Sequence, residues 1–176
     1  MKLGKEDNLL GNTYNSNNLI TKVYFRTKIM TAIKLANLKK EDIILDYGCG
    51  GGWLEHKLKN YNIYGYDLNS KKSFIKDYRK IRPTKIFALD VFEHIPLEEI
   101  KKIIKNFKKM GKFELIVSQP TENFISRKVR KLVGKEEVPK EHITRYKDIV
   151  NLLKTDFKLI KKINFFTVCH IFLFSN

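Results

Sequence analysis

The sequence has few cysteines and no long apolar run, so it has little to build a disulfide framework, a thiolate metal site or a membrane span from. It contains only two cysteines and four prolines in 176 residues, and the cysteines show no ligand spacing, so no disulfide framework and no metal is predicted. The longest apolar run, residues 165–174, is interrupted by His170 and is far shorter than the roughly 20 residues of a membrane-spanning helix. No apolar stretch follows the charged first residues as in a secretory signal. We therefore expect reduced thiols, no membrane span and a cytoplasmic location.

Acidic residues are also in the minority. There are 19 Asp and Glu against 35 Lys and Arg, which leaves a net charge of +16. Such a charge attracts polyanions, so nucleic acid is a partner to consider. No aromatic and basic recognition motif accompanies the charge, so a solvated, lysine-rich surface is favoured. Apolar residues make up 43% of the sequence, enough for one core, and we expect a single domain over residues 1–176. The sequence gives no indication of an oligomeric state.

Strand-like and helix-like segments alternate along the chain, which is typical of an α/β sheet. Helical spacing over residues 18–38 predicts an N-terminal helical cap within residues 1–40, followed by a core over residues 41–176. The core pattern predicts helices after residue 52, over 97–110 and at 149–153, and strands at 43–45, 63–66, 85–89, 113–117, 157–166 and 168–174. The last two strands predict a hairpin. Residues 120–145 are predicted to be an insertion, with one helix near 126–133.

A glycine-rich loop is the main functional signal. Four glycines within residues 48–52 follow the first strand and open a helix, where glycine permits positive φ and close approach of a ligand. Asp67 lies 21 residues after Asp46, at the end of the next strand, where a carboxylate can bind both ribose hydroxyls. A dinucleotide fingerprint would need glycine instead of Trp53, and no P-loop lysine follows. S-adenosylmethionine is the remaining common nucleoside ligand, and a ligand-free tight turn is the alternative.

Four segments resemble motifs of the class I methyltransferases, and two of them resemble the type 11, ubiquinone-biosynthesis-like subgroup. Residues 44–52 (Ile-Leu-Asp-Tyr-Gly-Cys-Gly-Gly-Gly) look like motif I, and residues 64–68 (Tyr-Gly-Tyr-Asp-Leu) resemble the second motif. Residues 88–96 (Ala-Leu-Asp-Val-Phe-Glu-His-Ile-Pro) are similar to the segment after the fourth strand of that subgroup. Residues 142–146 (His-Ile-Thr-Arg-Tyr) resemble its late histidine segment.

The resemblance implies a Rossmann-like class I methyltransferase fold. Its sheet would have up to seven strands, mostly parallel, with a C-terminal antiparallel hairpin, helices on both faces and the cofactor over the carboxyl ends of the strands. The cofactor would be S-adenosylmethionine, and the product S-adenosylhomocysteine. The implied cofactor-binding residues are Asp46 near the amino group, Gly48, Cys49 and Gly50 at the methionine part, Asp67 at the ribose, Leu68 at the adenine, and also Asp90 and Val91.

The segment between Asp67 and Asp90 departs from the family pattern. The family places a helix, a third strand and a loop between these positions, but here they are only 23 residues apart. Helical spacing in this segment predicts one helix and a third strand that is shortened or absent, on the basis of Phe74, Ile75, Tyr78 and Ile81. A short strand at residues 73–76 is the alternative, although a parallel crossover needs roughly a dozen residues.

Methyl transfer requires mainly that the protein position the acceptor nucleophile in line with the methyl group. A sulfonium methyl is already electrophilic, and holding a nucleophile in line at about 3 to 3.5 Å can contribute roughly 7 to 11 kcal/mol. A base helps when the acceptor is a hydroxyl or a protonated amine, so His94 and His142 are candidate catalytic residues. Structural roles for both histidines are the alternative. Candidate substrate residues are Tyr14, which the resemblance places in an N-terminal lid over the cofactor, and Arg145 and Tyr146. The alternative is a disordered loop for Tyr14 and a solvated turn for the other two.

The segment Val117-Ser118-Gln119-Pro120 narrows the choice of methyl acceptor. It stands where amino-directed nucleic-acid methyltransferases carry Asn/Asp-Pro-Pro-Tyr/Phe/Trp, so base N-methylation is disfavoured. We therefore expect a small-molecule, lipid-precursor or sugar acceptor. An RNA methyltransferase that uses the basic surface and a non-catalytic domain that binds S-adenosylmethionine are the alternatives.

Overall fold

A computed structural model describes residues 19–121, 123–124 and 142–176 of the chain. The helices are α1 (Leu19–Ala36), α2 (Trp53–Lys57), α3 (Leu97–Lys108) and α4 (Tyr146–Asp156). The strands are β1 (Ile43–Tyr47), β2 (Asn62–Tyr66), β3 (Lys85–Leu89), β4 (Glu114–Pro120), β5 (Lys158–Phe165) and β6 (Cys169–Ser175). Each predicted strand is present within a few residues of its expected bounds. The helix predicted near residues 126–133 lies outside the described residues.

The six strands form one sheet in the order β2-β1-β3-β4-β6-β5. The first four of this order are parallel, whereas β6 is antiparallel to both β4 and β5. This is the mostly parallel Rossmann-like sheet with a C-terminal hairpin that the sequence predicts. Because β1, β2, β3 and β4 run in the same direction, their carboxyl ends meet at one edge of the sheet, where open α/β sheets bind ligands.

Helices cover both faces of the sheet, as predicted. On one face α3 and α4 bury Ile100, Phe107 and Leu153 against the strands. On the other face α1 and α2 bury Ile29, Ala32 and Leu54. Among the described helices, none combines the length and apolarity that crossing a bilayer requires.

The third strand of the family is absent between β2 and β3, as predicted, but the predicted helix and the alternative strand at residues 73–76 are both wrong. The backbone amides of Phe74 and Ile75 donate to the Gly65 carbonyl at 3.0 and 3.2 Å, which holds an irregular segment at the edge of β2. Regular structure here is limited to a single 3-10 turn, Tyr78–Lys80. The apolar side chains at helical spacing serve different surfaces: Tyr78 is buried in the core, whereas Phe74 is 65% exposed over the glycine loop.

Candidate active site

The loop between β1 and α2 bends through left-handed backbone, with φ of +85°, +52° and +71° at Gly48, Gly50 and Gly52. The amides of Gly48 and Cys49 donate to the Tyr66 carbonyl at 2.7 and 3.1 Å, which fixes the loop to the end of β2. A Cβ on Gly48 would lie 2.4 Å from Cγ2 of Val91. Both the backbone conformation and the lack of space therefore require glycine at position 48.

Asp67 faces this loop from the end of β2. Its Oδ2 accepts a hydrogen bond from the Gly50 amide at 2.9 Å, and its Oδ1 accepts one from the Asn69 amide at 2.8 Å. A carboxylate has about four lone-pair directions, so two acceptor positions are left for ribose hydroxyls. The structure thus places the predicted glycine loop and the predicted ribose-binding carboxylate at one site. Leu68, the predicted adenine contact, follows with a side chain that is 72% exposed.

Two more carboxyl groups are buried below the loop. Asp46 of β1 is buried, and burial, together with the charges of Glu55 and Asp67, raises its pKa well above the usual value. Glu55, in the first turn of α2, has two buried oxygens without a hydrogen-bond partner among the described residues. Its Oε1 lies 2.1 Å from where a Cβ on Gly65 would be. Burial raises the pKa of Glu55 to about 7. Sequence reasoning missed Glu55. The signal was an acidic residue directly after Leu54, in a short helical segment whose Leu54 and Leu58 face the core.

We expect Glu55→Gln to stabilise the protein at pH 8 and to change little at pH 5. Folding raises the pKa of Glu55 from 4.5 to about 7, so stability is lost as the pH rises through this interval. After a discount for partial solvent access, the loss is about 2 kcal/mol above pH 7. Urea unfolding of both proteins at the two pH values measures the difference. An equal effect of the substitution at both pH values would contradict a protonated Glu55.

Asp90, the predicted cofactor residue after β3, is held by two other side chains. Ser118 Oγ donates to its Oδ1 at 2.7 Å, and Lys28 of α1 forms an ion pair with its Oδ2. Lys28 is only 2% exposed, and sequence reasoning missed it. The signal was a lysine in the same helical stripe as Ala32 and Ala36, since a buried lysine needs a charged partner. Through this pair the N-terminal helix contributes to the site.

His94 and His142 lie side by side, with ring centroids 5.2 Å apart and planes at 79°. His94 ends the 3-10 turn Phe92–His94 that follows Asp90. The amides of Ile143 and Thr144 donate to the Glu93 carbonyl at 2.8 and 3.2 Å, which holds the late histidine segment against this turn. The structure therefore brings the two predicted catalytic residues together.

The predicted substrate residues have different surroundings. Tyr146, the first residue of α4, is half-buried, and its hydroxyl lies 2.5 Å from Nδ1 of His170. Burial and the charge of Lys162 lower the pKa of His170. Arg145 precedes the helix and is exposed. Tyr14 lies outside the described residues.

Residues 23–159 match a family of methyltransferase domains. The chain belongs to this family. It is a methyltransferase, and its cofactor is S-adenosylmethionine. A comparison with curated protein sequences gives no match. The family assignment confirms the resemblance to class I methyltransferases that the glycine-loop segment carries, and the type 11 subgroup is consistent with it.

Solved structures similar to this methyltransferase support the same fold. Magnesium protoporphyrin IX methyltransferase from Synechocystis PCC 6803, with SAH bound, has a TM-score of 0.66 and 17% identity. The match covers 97% of this chain and 93% of the Synechocystis chain. The methyltransferase domain of the bacterial protein CtHen1 has a TM-score of 0.64 and 14% identity, and the match covers 87% of this chain and 100% of that domain. A type 11 methyltransferase described as putative, from Sulfolobus solfataricus, has a TM-score of 0.59 and 18% identity, and the match covers 80% of this chain and 86% of that chain.

The residues at the edge of the sheet fit the cofactor. Gly48 and Gly50 present partly exposed backbone without side chains, and the Asp67 carboxylate has acceptor positions left for a ribose. The methionine part and the nucleoside of S-adenosylmethionine require these two features side by side.

Proposed function

We propose that this methyltransferase transfers the methyl group of S-adenosylmethionine, by direct in-line displacement, to a small-molecule, lipid-precursor or sugar acceptor. The observation that carries the proposal is the 2.9 Å contact between the Gly50 amide and the Asp67 carboxylate. It joins the loop for the methionine part to the acid for the ribose, at the same sheet edge as the two histidines. When bound, the cofactor supplies an electrophilic methyl group, so the chain itself must bind and orient the acceptor.

The cofactor-binding roles follow from this arrangement. Gly48, Cys49 and Gly50 would hold the methionine part, with Asp46 near its amino group and Asp67 on the ribose. The exposed side chain of Leu68 would cover one face of the adenine. Asp90 and Val91 would complete the site from the end of β3, since Val91 already contacts the glycine loop at Gly48.

The acceptor would lie at the mouth formed by His94 and His142. A neutral imidazole there can accept the proton of a hydroxyl or ammonium acceptor, which is typically worth roughly 100-fold to 10,000-fold in rate. Arg145 and Tyr146 would line this mouth, and Tyr14 is proposed as a third substrate residue. The proposed location is the cytoplasm.

Asp67→Ala should weaken S-adenosylmethionine binding by roughly 10-fold to 150-fold, which corresponds to about 1.5 to 3 kcal/mol for a charge-assisted hydrogen bond. Calorimetric titration of the cofactor measures this affinity. Asp77→Ala is the matched control, because Asp77 is 10 residues downstream and pairs with Arg79 rather than with the loop. Equal affinity for the wild type and Asp67→Ala would contradict the ribose assignment. A screen of cell extract with methyl-labelled cofactor would then identify the acceptor.

An RNA acceptor is the second candidate, since the net charge is +16 and the chain is similar in fold to a chain of the Pnkp1/Rnl/Hen1 RNA repair complex. Five of the described lysines lie away from the cofactor edge, which favours the first candidate. Lys101, Lys105 and Lys108 lie on the outer side of α3, which runs away from the cofactor edge towards the start of β4. Lys161 and Lys162 lie on the edge strand β5, where lysine prevents pairing with other sheets. Steeply salt-dependent binding of RNA by the purified protein would favour the RNA acceptor.

A further inference from the structure

Glu93, His94 and His142 form a compact group of metal-ligating side chains beside the proposed cofactor site. Each offers one ligand atom, and the three atoms all lie within 4.8 Å of one another. We propose that these side chains bind a divalent first-row transition-metal ion. The proposal rests on the proposed function and deepens it, because the ion would define the acceptor as one that presents a hydroxyl oxygen.

The spacing of the three atoms suits such an ion. Bonds of about 2.0 to 2.2 Å to imidazole nitrogen and carboxylate oxygen allow two ligands to be at most about 4.4 Å apart. Small rotations of the three side chains therefore suffice to close the site. The main chain already fixes their relation, because the amides of Ile143 and Thr144 donate to the Glu93 carbonyl.

The surroundings of Glu93 also favour a cation. Its side chain is 3% exposed, and its Oε2 accepts a hydrogen bond from the neutral Gln119 amide at 3.1 Å. Lys28, which is the buried lysine of the described residues, is paired with Asp90. A buried carboxylate is costly unless a cation compensates it, and Oε1 of Glu93 is the oxygen not used by Gln119. The Gln119 amide would act as the outer partner that orients a ligating carboxylate.

Two imidazoles and one carboxylate favour manganese, cobalt, zinc or iron over magnesium and calcium, which prefer oxygen ligands. Three protein ligands leave positions open for a further ligand, as in catalytic metal sites. A hydroxyl bound there loses its proton to solvent more readily, since the ion lowers the pKa of a bound hydroxyl group. The histidines would then serve as ligands, and the ion would take over the role of the base.

Cobalt(II) is a suitable probe, because its visible absorption reports the number and type of its ligands. The full chain, freed of metal by a chelator, should bind one equivalent of Co²⁺ and should bind Mg²⁺ at least about tenfold more weakly. His142→Ala should weaken Co²⁺ binding at least about tenfold and shift its visible spectrum. Glu93→Gln, measured in parallel, tests the carboxylate ligand. His56→Ala is the matched control, since His56 is exposed on α2.

The two proposals can fail separately. Failure of the wild type to bind Co²⁺ in the millimolar range, or equal losses in His56→Ala and His142→Ala, would overturn the metal site. Methyl transfer that persists in the chelated protein would overturn the role of the ion in activating the acceptor, while leaving the proposed function intact. Stoichiometric Co²⁺ binding by a protein that does not bind S-adenosylmethionine would support the metal site and overturn the proposed function.

Discussion

Gly48→Ala is expected to destabilise the protein by about 3 to 5 kcal/mol and to abolish measurable binding of S-adenosylmethionine. A side chain at φ +85° costs about 1 to 3 kcal/mol. The new Cβ would also lie 2.4 Å from Val91 Cγ2, and overpacking of this kind adds about 1 to 3 kcal/mol. Relief of this clash moves the loop away from β3 and disrupts the backbone that faces the methionine part. Urea unfolding and calorimetric titration of the cofactor measure the two effects.

Two controls separate backbone strain from the clash. Gly111 has φ +108°, but nothing lies within 4 Å of a Cβ there, so Gly111→Ala reports the backbone cost alone. Val91→Ala, combined with Gly48→Ala, removes the methyl groups that the new Cβ would meet. The combined variant should recover part of the lost stability. If Gly48→Ala costs no more than Gly111→Ala, contact with Val91 does not constrain the loop.

Asp90→Asn is expected to cost about 3 kcal/mol of stability, because it removes the carboxylate from the buried Lys28–Asp90 ion pair. Backbone strain is not the cause, since asparagine tolerates the φ of +56° that Asp90 adopts. Lys28→Met in the same protein removes the ammonium of this pair as well. The double variant should therefore be more stable than Asp90→Asn alone, and urea unfolding of all four proteins gives the coupling energy.

Asp77→Asn is the control for the loss of a carboxylate charge. Asp77 pairs with Arg79 on the surface and should contribute little to stability. Additive effects of Asp90→Asn and Lys28→Met would show that the buried ion pair does not join α1 to the site.

The strands and the glycine loop could be predicted because their signals are local. Each strand is a short apolar run, and the loop glycines stand directly after one of them. Asp67 was equally accessible to prediction, since the end of a strand fixes which edge of the sheet its side chain occupies. The proximity of the loop and this carboxylate therefore followed from spacing along a short stretch of chain.

The remaining parts depend on contacts between distant residues. Lys28 meets Asp90 across 62 positions, and nothing near either residue in the sequence specifies the other. The proximity of His94 and His142 depends on main-chain hydrogen bonds to Glu93. The helix predicted between β2 and β3 was wrong because apolar residues at helical spacing need not pack against the same surface. Tyr78 enters the core there, while Phe74 covers the loop.

The missing third strand leaves β2 at the margin of the sheet, where the Phe74 and Ile75 amides donate to the Gly65 carbonyl. An evolutionary deletion is tolerated at such a margin, because no other strand depends on the lost one for its pairing. The same reasoning applies to engineering. A smaller methyltransferase could be made by shortening the chain at this edge of the sheet, whereas removal of a central strand would separate the glycine loop from the histidines.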